Sequence, residues 1–321
     1  MSRHSRPPVP CLLRPGVWGA IALAVVGCAS GCGDDDGASV PTLDASTDGT
    51  SPPSDATTPL DDGGTDASAP DDCWQLAAIP DIADWGNAGG DYPAPTLSAA
   101  CEGEDFVVRS NGIPTFEFVP ITPNDLAAQT YEWRIPRNPA PAAASTEIPL
   151  LGAAAITVTG LPIFGPTENP MDGYRDPYLD DMLQNLLDEC NGHTAPRGVY
   201  HFHARPDCLV TRLGGESVGL VIGFAFDGYP ILAPVVCSDE SCTSTRRVTS
   251  SWRSTLERYD VTTRGPAWDI HESVEGLGDL DACNGLAIED PDADYDYAYF
   301  ATDSFPYFMG CYRGTPRTNR M

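Results

Sequence analysis

Three of the chain's 5 histidines lie close together in sequence and carry the clearest chemistry in it. His201 and His203 are separated by one residue in VYHFH (Val199–His203), a short aromatic run that reads as a strand. Side chains two apart on a strand share a face, so both imidazoles project the same way. His193 lies just before that strand, and a chain reversal between them brings all three together. Such a trio suits Zn²⁺ or Cu²⁺, whose borderline preference favours imidazole. Asp188, Glu189 and Asp207 are the neighbouring carboxylates, as ligands or as partners of ligands. The competing reading is packing, with aromatic-like histidines whose nitrogens meet nearby carbonyls.

Other constellations are weaker. GESVG (Gly215–Gly219) matches the nucleophile-elbow pattern, but that motif needs a strand before it and a helix after it. Here a strand-like run follows, so Ser217 reads as the residue opening that strand. DPDADYD (Asp290–Asp296) alternates acids as calcium loops do, yet Tyr295 stands where the loop needs glycine and Ala301 where it needs glutamate. It reads as a solvated acidic loop. His271 has no partner at ligand spacing and reads as a surface histidine. No cysteine pair is spaced C-x-x-C, so zinc ribbons, thioredoxin-type redox sites and haem attachment are unsupported.

The elements that must position these residues belong to an acidic, turn-rich chain. It has 321 residues with 46 acids against 18 basic residues, all arginine, a net of −28. That balance argues against nucleic acid or anionic headgroups as partners. Gly and Pro contribute 31 each, which disfavours a helical bundle. Arg3, Arg6 and Arg14 precede a short apolar run, Gly16–Val26, ending in VVGC at Cys28. This resembles a bacterial lipobox after a signal peptide over residues 1–27, with Cys28 as the lipidated residue and Cys32, in ASGC, as the alternative. The expectation is a protein of the bacterial cell envelope, on its periplasmic or surface side, touching the membrane only through its lipid. Residues 28–72 then form a tether rich in Asp and poor in anything that could be buried, expected to be disordered.

Residues 73–321 repeat themselves. TGLPIFGP (Thr159–Pro166), LDECNGH (Leu187–His193), YHFH (Tyr200–His203) and Cys208 recur as DGYPILAP (Asp227–Pro234), LDACNGL (Leu280–Leu286), YAYF (Tyr297–Phe300) and Cys311. The second copy carries an insertion between its turn and its LDxCNG motif. Asp188 has a counterpart, Asp281, in the copy without histidines, so a capping role suits it better than ligation. Ala153–Thr159 and Val218–Phe226 read as buried strands. Pro177–Leu187 has helical spacing, and the segment around Trp252–Tyr259 is read as a second helix. The fold class expected is β-rich α+β: one internally duplicated domain with two packed β units, copy one about 150–210 and copy two about 218–316, with one or two short helices and disulfide staples.

Export implies an oxidising compartment. The repeat equates Cys190 and Cys208 with Cys283 and Cys311, so each pair is expected to close its own copy. Cys237 then pairs with Cys242 and Cys73 with Cys101. At the positions of His193, His201 and His203 the second copy has Leu286, Ala298 and Phe300, so the histidines are present together or absent together, as ligands of one site would be.

The chain resembles the YHYH-domain family of exported proteins. SNGIP (Ser110–Pro114), QTYEWRIPRNP (Gln129–Pro139), the GLPIFGP and DGYPI turns and FPYFMGCYRGTP (Phe305–Pro316) carry the resemblance. Phe202 replaces a tyrosine of the signature tetrapeptide. The resemblance implies an architecture rather than an activity. Three functions fit: a metal-binding extracytoplasmic module using His193, His201 and His203; a metal-dependent hydrolase with an open water position at the same site; and a metal-free surface module whose Tyr and Trp side chains meet a glycan or protein.

Overall fold

The computed structural model of the chain describes residues 73–168, 186–255, 267–291 and 293–319, all within one compact unit, Thr65–Met321. It is β-rich, with few helices, several sheets and four disulfides. Three antiparallel strands, β1 (Leu97–Glu102), β2 (Asp105–Ser110) and β3 (Tyr131–Pro136), form the first sheet. Phe106, Val108, Trp133 and Ile135 alternate onto its buried face. The Trp133 indole N–H donates to the Gly160 carbonyl at 3.0 Å and ties this sheet to the next. β4 (Pro141–Thr146) pairs with the last strand of the chain, β17 (Tyr312–Gly314).

The main sheet has eight strands. Four come from the first half of the repeat: β5 (Ala153–Thr157), β6 (Pro162–Phe164), β7 (Gly192–Ala195) and β8 (Val199–Phe202). After the short helix α1 (Asp207–Arg212) come β9 (Val221–Ala225) and β10 (Pro230–Leu232). The insertion forms two hairpins, β11 (Val235–Cys237) with β12 (Thr245–Arg247) and β13 (Trp252–Ser254) with β14 (His271–Ser273). β15 (Gly285–Ala287) and β16 (Tyr297–Phe300) complete the sheet. Its order is β15-β16-β10-β9-β5-β6-β8-β7. The pattern reads alike from either edge: an antiparallel pair, a parallel neighbour, an antiparallel neighbour, then the central β5–β9 pairing.

Four disulfides join Cys73 to Cys101, Cys190 to Cys208, Cys237 to Cys242 and Cys283 to Cys311. Such bonds belong to an oxidising, extracytoplasmic compartment. No helix among the described residues is long and apolar enough to cross a membrane.

Three sequence readings need comment. The helix over Pro177–Leu187 falls outside the described residues except for Leu186 and Leu187. Trp252–Ser254, read as the start of a helix, is a strand, because it pairs with His271–Ser273 and Arg253 forms an ion pair with Glu272 across that ladder. His271, read as a surface residue, is only 7% exposed. Its ring lies flat on Phe305, centroids 3.9 Å apart, and Nδ1 donates to the Ala267 carbonyl.

Candidate metal centre

The turn that carries His193 is built by the LDECNG motif. Asp188 Oδ1 accepts from the backbone N–H of Cys190 (2.8 Å) and Gly192 (3.1 Å), and Oδ2 accepts from the Tyr200 hydroxyl (2.7 Å). One carboxylate thus locks the turn and clamps β8 against it. Burial raises the Asp188 pKa, against the opposing effect of these hydrogen bonds. Asn191 takes a left-handed φ of 62°, which asparagine tolerates better than most residues, and its carbonyl accepts from the His203 N–H. Gly192 is required beside it: a Cβ there would lie 2.5 Å from the Tyr200 hydroxyl and 2.7 Å from the His201 carbonyl. Asp281, Cys283, Asn284, Gly285 and Tyr297 make the same contacts in the second half.

The β7–β8 ladder sets His193 opposite His201. The three Nε2 atoms converge, with His193–His201 at 3.1 Å, His201–His203 at 2.9 Å and His203–His193 at 3.2 Å. A fourth group completes the cluster. Glu168, four residues beyond β6, brings Oε2 to 3.2 Å from His193 Nε2 and 3.3 Å from His203 Nε2. All four atoms lie within 4.8 Å of one another. A tetrahedral centre with ligands at about 2.0–2.1 Å needs edges near 3.3–3.4 Å. Five of the six separations are 2.9–3.3 Å. The sixth, Glu168 to His201, is longer, so the cluster can hold a metal ion once the carboxylate swings toward His201.

Each Nδ1 faces a backbone carbonyl: His193 that of Leu186 (2.7 Å), His201 that of Val199 (3.2 Å) and His203 that of Gly165 (2.9 Å). A carbonyl only accepts, so these contacts assign the proton to Nδ1 and leave a lone pair on each Nε2. Burial holds His201 well below the ordinary imidazole range, helped by repulsion from His203 and His193, and it lowers His203 as well. Burial opposes charge on Glu168, but when His193 and His203 also carry a proton on Nε2 their hydrogen bonds hold its carboxyl well below the usual range. With the rings neutral, four electron-pair donors face one another, an arrangement that a shared cation relieves. Packing alone does not account for it. Phe164 stacks on His201 at 3.8 Å and fixes that ring.

Glu168 was missed in the sequence, although a signal for it exists. Superposing the two Gly-x-Pro-Ile turns places Glu168 on Val236. In the second half Val236, Leu286, Ala298 and Phe300 fall in one apolar cluster with Leu232, Val248 and Leu280. Every member of the quartet therefore has an apolar counterpart. The cluster does not include Asp188, Glu189 or Asp207. Asp188 serves the turn, Glu189 is exposed, and Asp207 pairs with Arg205 at 2.7 Å. Ser217 sits in the turn before β9, with its carbonyl accepting from Leu220.

If Asp188 positions the histidines through the turn, Asp188→Asn is expected to weaken metal affinity about 10–100-fold, as loss of a group supporting a ligand does. Asp281→Asn should lower stability and leave metal affinity unchanged. Chelator competition on the two variants checks this.

The fold and the site define an exported-type β protein built round a three-histidine strand motif. The chain belongs to the YHYH protein family, whose model matches residues 132–314. No curated protein and no solved structure gives a significant match.

Proposed function

We propose that the chain is an extracytoplasmic module that holds one divalent metal ion, Zn²⁺ by preference, through His193, His201, His203 and Glu168. The observation that carries this is the convergence of three Nε2 atoms and a carboxylate oxygen while every Nδ1 is spent on a carbonyl. The absence of sulfur from the quartet argues against Cu⁺, and three imidazoles with one carboxylate form a ligand set that suits Zn²⁺. Four protein ligands leave no water position, which favours holding the metal over hydrolysis. We read the two halves of the main sheet as copies of one unit, of which only the first kept, or gained, the site. Elemental analysis of the purified protein is expected to find one zinc per chain, and none after His193, His201 and His203 are together replaced by Ala. Metal retained by the triple variant would sink the reading.

The module is proposed to hang from the membrane by a lipid on Cys28, or failing that Cys32, through the acidic tether of residues 28–72. The VVGC sequence after a short apolar run supports this. A Cys28→Ser, Cys32→Ser double variant is expected to leave the membrane fraction on fractionation, and its retention there would refute the anchor.

A further inference from the structure

A cavity of about 520 Å³ opens between the Glu147–Leu150 segment and the β13–β14 hairpin, away from the histidine quartet. Its volume lies within the range of small-molecule sites, about 300–1,000 Å³. Trp252, Trp268 and Ile148 supply apolar wall, Glu147 and Asp269 supply carboxylates, and His271 supplies an imidazole. Trp252, Trp268 and Phe305 pack edge to face with centroids 4.8–5.4 Å apart, so the aromatic wall is rigid.

Two polar atoms in this wall are unused. His271 is only 7% exposed, and its Nδ1–H donates to the Ala267 carbonyl at 2.7 Å, which leaves the lone pair on Nε2. No residue of the chain donates to that atom among the described residues, so a residue lining the cavity keeps an unpaired acceptor. The Trp268 indole N–H also has no acceptor there, whereas the Trp252 indole donates to the Ala282 carbonyl at 3.0 Å. An unpaired polar atom in the wall of a cavity orients a ligand that pairs with it. The carboxylates reject an anion. A quaternary ammonium would suit the rings and the acids but would use neither the imidazole lone pair nor the indole N–H. A hydroxylated, uncharged ring uses everything present. Its C–H face covers tryptophan, one hydroxyl donates to His271 Nε2, and another oxygen accepts from Trp268.

We propose that this cavity binds a neutral sugar. The inference stands apart from the metal reading, because no member of the quartet lines the cavity.

The test titrates the full chain with glucose, galactose, mannose, N-acetylglucosamine and their disaccharides, with choline as the cationic arm. Tryptophan fluorescence and saturation-transfer NMR read the binding. At least one sugar is expected to bind with a millimolar or tighter Kd and to outcompete choline. Trp268→Ala and His271→Phe, the latter keeping the stack on Phe305, should each weaken it about tenfold or more, with zinc content unchanged. Asp269→Arg, at an exposed rim position, should do the same and reads the site even if the two wall variants fold poorly. Three results overturn the proposal: no sugar binding, choline bound in preference, or sugar binding that the Asp269→Arg chain retains in full.

Discussion

Removing the metal with a chelator at neutral pH is expected to lower the melting temperature of the chain by roughly 10 °C. An ion present at a thousand times its Kd stabilises the folded state by about 4 kcal/mol, and each kcal/mol is worth roughly 2–4 °C in a unit of this size. Acid should act in the same direction. Burial lowers the folded pKa values of His201 and His203, so the unfolded chain takes up protons near the ordinary 6.5 while the folded chain does not. The stability they contribute is therefore full above about 6.5 and declines as the pH falls below it. Protons would compete with a bound metal for the same lone pairs over that range. Glu168 extends the loss further. Its carboxyl is held below the ordinary 4.5, so its contribution is present above that value and disappears as the pH falls below it. Thermal unfolding from pH 8 to 4, with and without EDTA, measures both effects. A melting temperature indifferent to EDTA would count against the metal centre.

The second large effect separates two disulfides that look alike. Cys190–Cys208 spans 18 residues and Cys283–Cys311 spans 28. Opening either by a double serine substitution should cost about 2–4 kcal/mol in denaturant unfolding. Only the first bond anchors the turn that presents His193, between the Asp188 clamp and α1. Zinc affinity is expected to fall with Cys190→Ser, Cys208→Ser and to hold with Cys283→Ser, Cys311→Ser, as chelator competition would show. Equal affinity losses in the two variants would mean that the disulfide does not position the site.

The parts of this arrangement that sequence made visible share one property: they are local or repeated. His201 and His203 sit two apart, on β8 and just after it, which gives them a common face. The repeat equates four cysteines and exposes His193 as a third member. The parts that escaped are non-local. Glu168 arrives from beyond β6, the parallel neighbour of β8, so its nearness to the histidines owes nothing to sequence distance. Acids adjacent in sequence drew attention instead, yet Asp188 serves the turn, Asp207 pairs with Arg205 and Glu189 is exposed. His271 looked solitary because its partner, Phe305, lies far along the chain. Trp252–Ser254 resembled a helix start because three residues carry too little periodicity to reveal a hairpin whose other strand is remote. The helix α1, of six residues after Pro206, is also too short to leave a periodic trace.

Among the described residues β7 is the outermost strand of the main sheet on its side, paired only with β8. Outermost strands fray first, since half of their backbone groups have no ladder partner. A cation shared by His193 on β7, His201 on β8, His203 just after it and Glu168 beyond β6 would rivet three successive strands through their side chains. At the opposite margin, β15 has the apolar cluster in place of that rivet, while each margin keeps its own disulfide, Cys190–Cys208 or Cys283–Cys311. The two margins would then answer to different surroundings. Fraying on the β7 side would track the zinc supply of the compartment as well as its redox poise, and fraying on the β15 side its redox poise alone.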